Sequence, residues 1–156
     1  MVRSLRPDIV TDIGSRDGEM AMACRRILPT SASVFAFEAN PENFFEFAGP
    51  ACREGIVFVP TAVGSTRGTV ELQVPRWASA QNTESRQFRG IGSTRRRVGE
   101  EDPICYQVPM QTLAQFFCLP EHETATFAHW IDVEGCSYDV LAGFDARLAR
   151  QTKLNT

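Results

Sequence analysis

The chain has 156 residues, 43% of them hydrophobic and 22% charged, enough for one globular domain with its own core and too apolar for disorder as the main state. A formal charge of -3, with Lys153 the one lysine, excludes a general phosphate-binding surface, so nucleic acid is not an expected partner. Cys24, Cys52, Cys105, Cys118 and Cys136 form no CxxC pair, and no segment approaches the roughly 20 apolar residues that span a bilayer; reduced thiols, a cytoplasmic location and no membrane partner are the expectation.

Residues 9–13 predict a short strand whose turn, Gly14-Ser15-Arg16-Asp17-Gly18, feeds a helix. Met20, Cys24, Ile27 and Leu28 form its apolar face, Glu19, Arg25 and Arg26 point away, and Pro29 stops it. Residues 34–37 predict a second strand, apolar throughout as a buried parallel strand should be, and Asn40 and Pro41 supply the N-cap and first residue of a helix over 42–48. Residues 56–59 predict a third strand. Alternation over 69–74 predicts a half-exposed antiparallel strand added to the same sheet.

Periodicity vanishes over 75–102, which predicts a flexible loop on the substrate side, the run Arg95-Arg96-Arg97 included. Leu113, Phe116 and Phe117 form a short helical stripe, and Phe44, Phe45 and Phe47 read as core at helical spacing. Residues 127–131 predict a fourth parallel strand that runs into Asp132-Val133-Glu134-Gly135, after which Ser137 caps a last helix with Val140, Leu141, Phe144 and Leu148 on its buried face. No repeat or linker divides the chain. One α/β domain over residues 1–156 follows, with a mostly parallel sheet and helices on both faces.

Asp12 and Glu38 stand at the ends of the first two strands, where open parallel sheets bind ligands. A cofactor with an adenine, a ribose and an amino-acid tail finds what it needs there. Gly14 and Gly18 let backbone come close, Asp12 balances a cationic amine or sulfonium, and Glu38 accepts charge-assisted bonds from both ribose hydroxyls. This favours S-adenosylmethionine over NAD, whose pyrophosphate needs open backbone amides and is repelled by Asp12. Plain helix capping by the same carboxylates stays open at this point, as does an NAD-binding domain.

The blocks Asp12-Ile13-Gly14-Ser15-Arg16-Asp17-Gly18, Phe37-Glu38-Ala39-Asn40-Pro41, Ala62-Val63-Gly64, Thr112-Leu113, and Ile131-Asp132-Val133-Glu134-Gly135 followed by Val140-Leu141-Ala142-Gly143 occur in a specific order. Through them the chain resembles the FkbM-type family of S-adenosylmethionine-dependent methyltransferases. The resemblance implies a Rossmann-like methyltransferase fold, with Asp12, Gly14, Ser15 and Gly18 in the turn at the methionine end of the cofactor. It implies Glu38 on the ribose, flanked by Ala39 and Asn40, and Ala62 and Val63 near the adenine. Asp132 and Glu134 would face the methyl group and the acceptor. The family's usual Asn in the first turn is here Arg16. Relatives continue into a fifth strand and a terminal hairpin, so the resemblance also implies a domain shortened after the fourth parallel strand and its helix, with an apolar sheet edge open to self-association.

The expected activity is O-methylation of a small-molecule or sugar hydroxyl, with Asp132, Glu134 and, third, His129 as candidate bases. Beside these stand duller readings. His129 fits a core histidine and Glu134 a helix cap, and the shortened chain fits a non-catalytic cofactor-binding or assembly module. No ligand pair has metal spacing, so no metal is expected.

Overall fold

The computed structural model of the protein describes residues 6–79, 92–95 and 102–153. Residues 80–91 and 96–101, most of the segment read as a loop, lie outside the described residues.

Four strands, β1 (Ile9–Ile13), β2 (Ser33–Phe37), β3 (Ile56–Val59) and β7 (Phe127–Ile131), form an all-parallel sheet in the order β3-β2-β1-β7. Every residue of β1 is buried, as befits a central strand covered on both faces. Its neighbours lie in register, so Ile13 stands beside Phe37 on one side and Ile131 on the other. The chain steps outward from β1 through β2 and β3, then returns to place β7 on the opposite side. β1 is therefore the switch point of the sheet, and a crevice opens beyond its carboxyl end.

One face carries Val10, Val34, Ala36, Ile56, Phe58 and Ala128. Helix α1 (Glu19–Ile27) covers it with Ala21 and Cys24, and α2 (Pro41–Arg53) with Ala51. Asn40 caps α2 by accepting the Glu42 N–H at 3.0 Å, with Pro41 at the first position as expected. The helix runs past residue 48, its expected end, through Gly49-Pro50. Phe44 and Phe47 pack on the sheet, whereas Phe45, read as core, is 84% exposed.

The other face carries Ile9, Ile13, Phe37 and Phe127 against Leu113 of the short helix α3 (Leu113–Phe116) and Phe117 just beyond it. Phe35, Phe37, Phe116, Phe117 and Phe127 meet edge to face, with centroids 4.9 Å apart for Phe37–Phe116 and 5.0 Å for Phe117–Phe127. Each such pair adds about 0.5–1.5 kcal/mol to the area it buries. Thr112 closes a reciprocal capping box with Gln115 that starts α3.

The last helix of the sequence reading is two helices, α4 (Ser137–Ala142) and α5 (Ala146–Gln151). Cys136 rather than Ser137 is the N-cap of α4, while Asp145 caps α5 by accepting the Leu148 N–H at 2.7 Å. Val140 and Leu148 are fully buried, but Leu141, expected beside them, is 54% exposed. Beyond α5 the chain turns back along β7. Thr152 pairs in parallel with Phe127, and the Lys153 N–H donates to the Phe127 carbonyl at 2.8 Å, so the edge expected to be bare is covered at its first residue.

The alternating strand β5 (Gly68–Val74) is not part of the parallel sheet. It pairs antiparallel with β6 (Ile104–Gln111), which the sequence reading missed, and β6 pairs in turn with the two-residue β4 (Ala62–Val63). Pro103 and Pro109 hid β6. Pro109 is accommodated because its carbonyl faces the β4 side, where the Thr61 hydroxyl donates to it at 3.0 Å, and the missing N–H falls just ahead of the first residue of β4.

A side-chain clasp joins this second sheet to the first. The Glu42 carboxylate, at the start of α2, accepts the Tyr106 hydroxyl at 2.6 Å and the Ser79 hydroxyl at 2.9 Å. Burial and that carboxylate push the Tyr106 phenol up to about 12.

Where α4 ends, Gly143 lies against the backbone of Gly64, and a Cβ there would sit 2.3 Å from the Gly64 carbonyl oxygen. Gly143→Ala is expected to destabilise the fold by about 1–3 kcal/mol through overpacking against backbone that has no room to yield. Urea unfolding of the variant beside the wild type reads this directly; an unchanged midpoint would show that the contact relaxes freely.

Candidate functional site

The crevice beyond β1 holds a cavity open to solvent, walled by residues of both sheets. Gly14, Glu38 and Asp132 line it, each the first residue beyond its strand. The turn after β1 is tied to both neighbours. The Gly14 and Ser15 N–H groups donate to the Phe37 carbonyl, each at 3.0 Å, and the Asp132 N–H donates to the Ile13 carbonyl at 2.9 Å. Gly14 has φ +81°, and a Cβ on it would sit 2.1 Å from the Asp132 carbonyl oxygen. The glycine is thus required by backbone as well as by any ligand.

Glu38 is 7% exposed and its carboxylate is held from three directions. Oε2 accepts the Arg16 N–H and Oε1 the Asn40 N–H, both at 2.6 Å, and the Asn43 side chain adds a third bond. Burial still dominates these donors and pushes the Glu38 carboxyl up to about 7. With these three bonds made, about one of the carboxylate's four acceptor positions is left for a ligand inside the cavity.

Of the residues read as cofactor contacts, Gly14, Glu38, Ala39, Asn40, Ala62 and Val63 all line the cavity. Asp12, Ser15 and Gly18 do not. The Asp12 carboxylate, 2% exposed, accepts the Ser15 hydroxyl at 2.6 Å and the Ala21 N–H at 3.1 Å, and burial raises its pKa. It binds the first turn of α1 from below. Gly18, with φ +77°, packs against the Phe58 ring.

The candidate bases divide in the same way. Asp132 and Glu134 are exposed at the cavity wall, and Gly135 turns the chain after them with φ +74°. His129, the third candidate, lies outside the lining, on the sheet face packed by α4 and α5. Its Nδ1 meets the Thr11 hydroxyl at 2.7 Å and its Nε2 the Thr152 hydroxyl at 3.2 Å, while its ring stacks on Phe127. Thr152 gives its own proton to the Leu148 carbonyl, so Nε2 carries the imidazole proton and Nδ1 accepts from Thr11. Burial lowers the His129 pKa to about 4.

Sequence reasoning missed the far wall. Leu72 comes from β5, and Gly92, Ser93 and Thr94 come from the returning end of the long segment. Ser93 exchanges backbone bonds with Gln73 and donates its hydroxyl to the Glu134 carbonyl at 3.2 Å. Thr94 meets Cys136 at 3.2 Å, and the Arg95 guanidinium pairs with Asp139 at 2.8 Å. Four residues thus strap the second sheet to the turn that carries Asp132 and Glu134. Only the failure of periodicity marked this stretch in the sequence, and that says nothing about where it docks.

The first turn has an electrostatic consequence. Its N–H groups at Gly14, Ser15, Arg16 and Gly18 all donate to protein acceptors, and those of Glu19 and Ala21 go to the Asp17 and Asp12 carboxylates. The start of α1 therefore faces two carboxylates, which a pyrophosphate would have to displace. The described lining carries Glu38, Asp132 and Glu134 and no basic side chain, so it complements a ligand with positive charge. Among the described residues no group of three His, Cys, Asp or Glu could hold a metal ion, and no helix is long and apolar enough to cross a membrane.

The family model described as Methyltransferase FkbM domain matches residues 12–155, which covers the whole crevice. No curated protein and no solved structure gives a significant match.

Glu38 and His129 oppose each other in their pH dependence. Between pH 4.5 and 7 folded Glu38 keeps a proton that the unfolded chain has lost, so its contribution to stability falls as pH rises. Between pH 4 and 6.5 unfolded His129 binds a proton that the folded chain refuses, so its contribution falls as pH drops. Urea unfolding across pH 4–8 is expected to show the wild type losing up to about 3 kcal/mol against Glu38→Gln with rising pH, and as much against His129→Gln with falling pH. Parallel profiles for wild type and variants would refute both shifts.

Proposed function

The chain belongs to the FkbM methyltransferase domain family, and on that premise we propose that it is an S-adenosylmethionine-dependent enzyme that methylates a hydroxyl of a small molecule or sugar. The observation that carries the cofactor reading is the turn after β1, whose amides at Gly14, Ser15, Arg16, Gly18, Glu19 and Ala21 are already met by carbonyls and carboxylates, beside a cavity wall of three carboxylates. That surface suits a cationic sulfonium ligand and is hostile to a dinucleotide pyrophosphate. The free cysteines accord with a reducing compartment, and the cytoplasm is the proposed location.

Glu38 would accept from the ribose hydroxyls at the position that Arg16, Asn40 and Asn43 leave, the second hydroxyl sharing an oxygen already bonded, and Ala62 and Val63 would lie along the adenine. When bound, the cofactor supplies an electrophilic methyl carbon on its sulfonium. The protein's task is then to hold the acceptor oxygen in line with that carbon and to keep water away, an effect worth up to about 7–11 kcal/mol. Asp132, beside Gly14 at the cavity wall, would take the acceptor's hydroxyl proton on a carboxylate oxygen, and Glu134 flanks the same mouth.

Isothermal titration calorimetry with S-adenosylmethionine and NAD tests the cofactor. The methyl donor should bind preferentially, Glu38→Ala should weaken it by about tenfold or more, and affinity should rise from pH 6 to 8 as Glu38 ionises. Preference for NAD, or indifference to the loss of Glu38, would end the reading. Methyl transfer to a panel of hydroxylated acceptors tests the reaction, with Asp132→Asn expected to lower kcat about 100-fold or more. Tight cofactor binding without turnover on any acceptor would mark a binding module instead.

A further inference from the structure

The cofactor just proposed has one charged part that no described residue of the cavity wall answers, the carboxylate of its amino-acid tail. A carboxylate beside Glu38, Asp132 and Glu134 needs a cation close by. The sequence offers one at an unusual place. Arg16 has φ +52°, a left-handed conformation that Asn tolerates well and Arg seldom adopts. That conformation points its N–H at Oε2 of Glu38, 2.6 Å away, and so fixes position 16 against the carboxylate expected to hold the ribose.

The guanidinium lies outside the described lining, on the turn that its backbone ties to Glu38, and it is only partly committed. Its Nε and Nη2 both donate to a single oxygen, Oδ2 of Asp17, at 3.0 and 2.6 Å, and the side chain is 42% exposed. Three of its five N–H groups have no acceptor among the described residues. In S-adenosylmethionine the carboxylate is separated from the ribose by a methylene, a sulfur and a three-carbon chain, a span that an arginine side chain matches. Resting on the cofactor reading above, we propose that Arg16 recognises the carboxylate tail of S-adenosylmethionine with the donors that Asp17 leaves over, while its backbone N–H keeps Glu38 aimed at the ribose. One residue thereby sets the spacing between two ends of the ligand, and Asp17 holds the guanidinium ready with little rotamer freedom left to lose.

The test is calorimetric binding of S-adenosylmethionine and of its decarboxylated analogue, which lacks only that carboxylate. Arg16→Asn is the variant of choice, because Asn accepts the left-handed backbone and keeps the N–H to Glu38. It should weaken S-adenosylmethionine about 10- to 100-fold and leave the decarboxylated analogue within about twofold, with Arg16→Lys between the two. Equal weakening of both ligands, or of neither, would overturn the assignment. So would a wild type that binds both ligands equally, although the cofactor reading would then stand. A wild type that binds neither would remove the cofactor reading and this proposal together.

Discussion

The site depends on one constraint, the register of β1 between β2 and β7. Because Ile13, Phe37 and Ile131 stand side by side, the next residue of each strand emerges at the same level, and Gly14 is flanked by Glu38 and Asp132. The turn then hangs on both neighbours, by two N–H groups on the Phe37 carbonyl and by the approach of the Asp132 carbonyl to Gly14. A one-residue slip of either neighbour would turn its side chains to the opposite face of the sheet, and with them the crevice. The aromatic cluster beneath Phe37 and Phe127 makes such a slip costly, so the register that builds the core also places the site.

Within that frame the carboxylates have separate tasks. Asp12 and Asp17 satisfy the start of α1 and the turn before it. Glu38 is buried yet keeps capacity toward the cavity, and its raised pKa records that burial outweighs its hydrogen bonds. Asp132 and Glu134 stay hydrated at the mouth. This gradation from buried to exposed is built from the same residue type at both ends.

Sequence pattern found the four parallel strands because a strand covered on both faces is apolar throughout, and it found the α2 cap because Asn-Pro is a local signal. It could place Glu38, since the end of an apolar run beside a switch point has few alternatives. It could not tell that Asp12 turns under α1, because strand parity gives the face of a side chain and not its hydrogen-bond partner. β6 was hidden by its prolines, and the break between α4 and α5 by an apolar spacing that continues across Gly143 although the backbone of Gly64 occupies the path. His129 shows the reverse: alternation already placed it opposite Asp132, and its two threonine partners make it part of the packing.

The Glu42 clasp has a consequence for how such a protein can change. It pins Ser79, where the long segment departs, and the backbone pairing of Ser93 with Gln73 pins the point of return. With both ends held, a change of sequence or length between them need not move either end. Insertions, deletions and wholesale exchange can therefore accumulate there while the crevice beyond β1 is inherited intact. Change in that stretch and permanence of the crevice become separate genetic events.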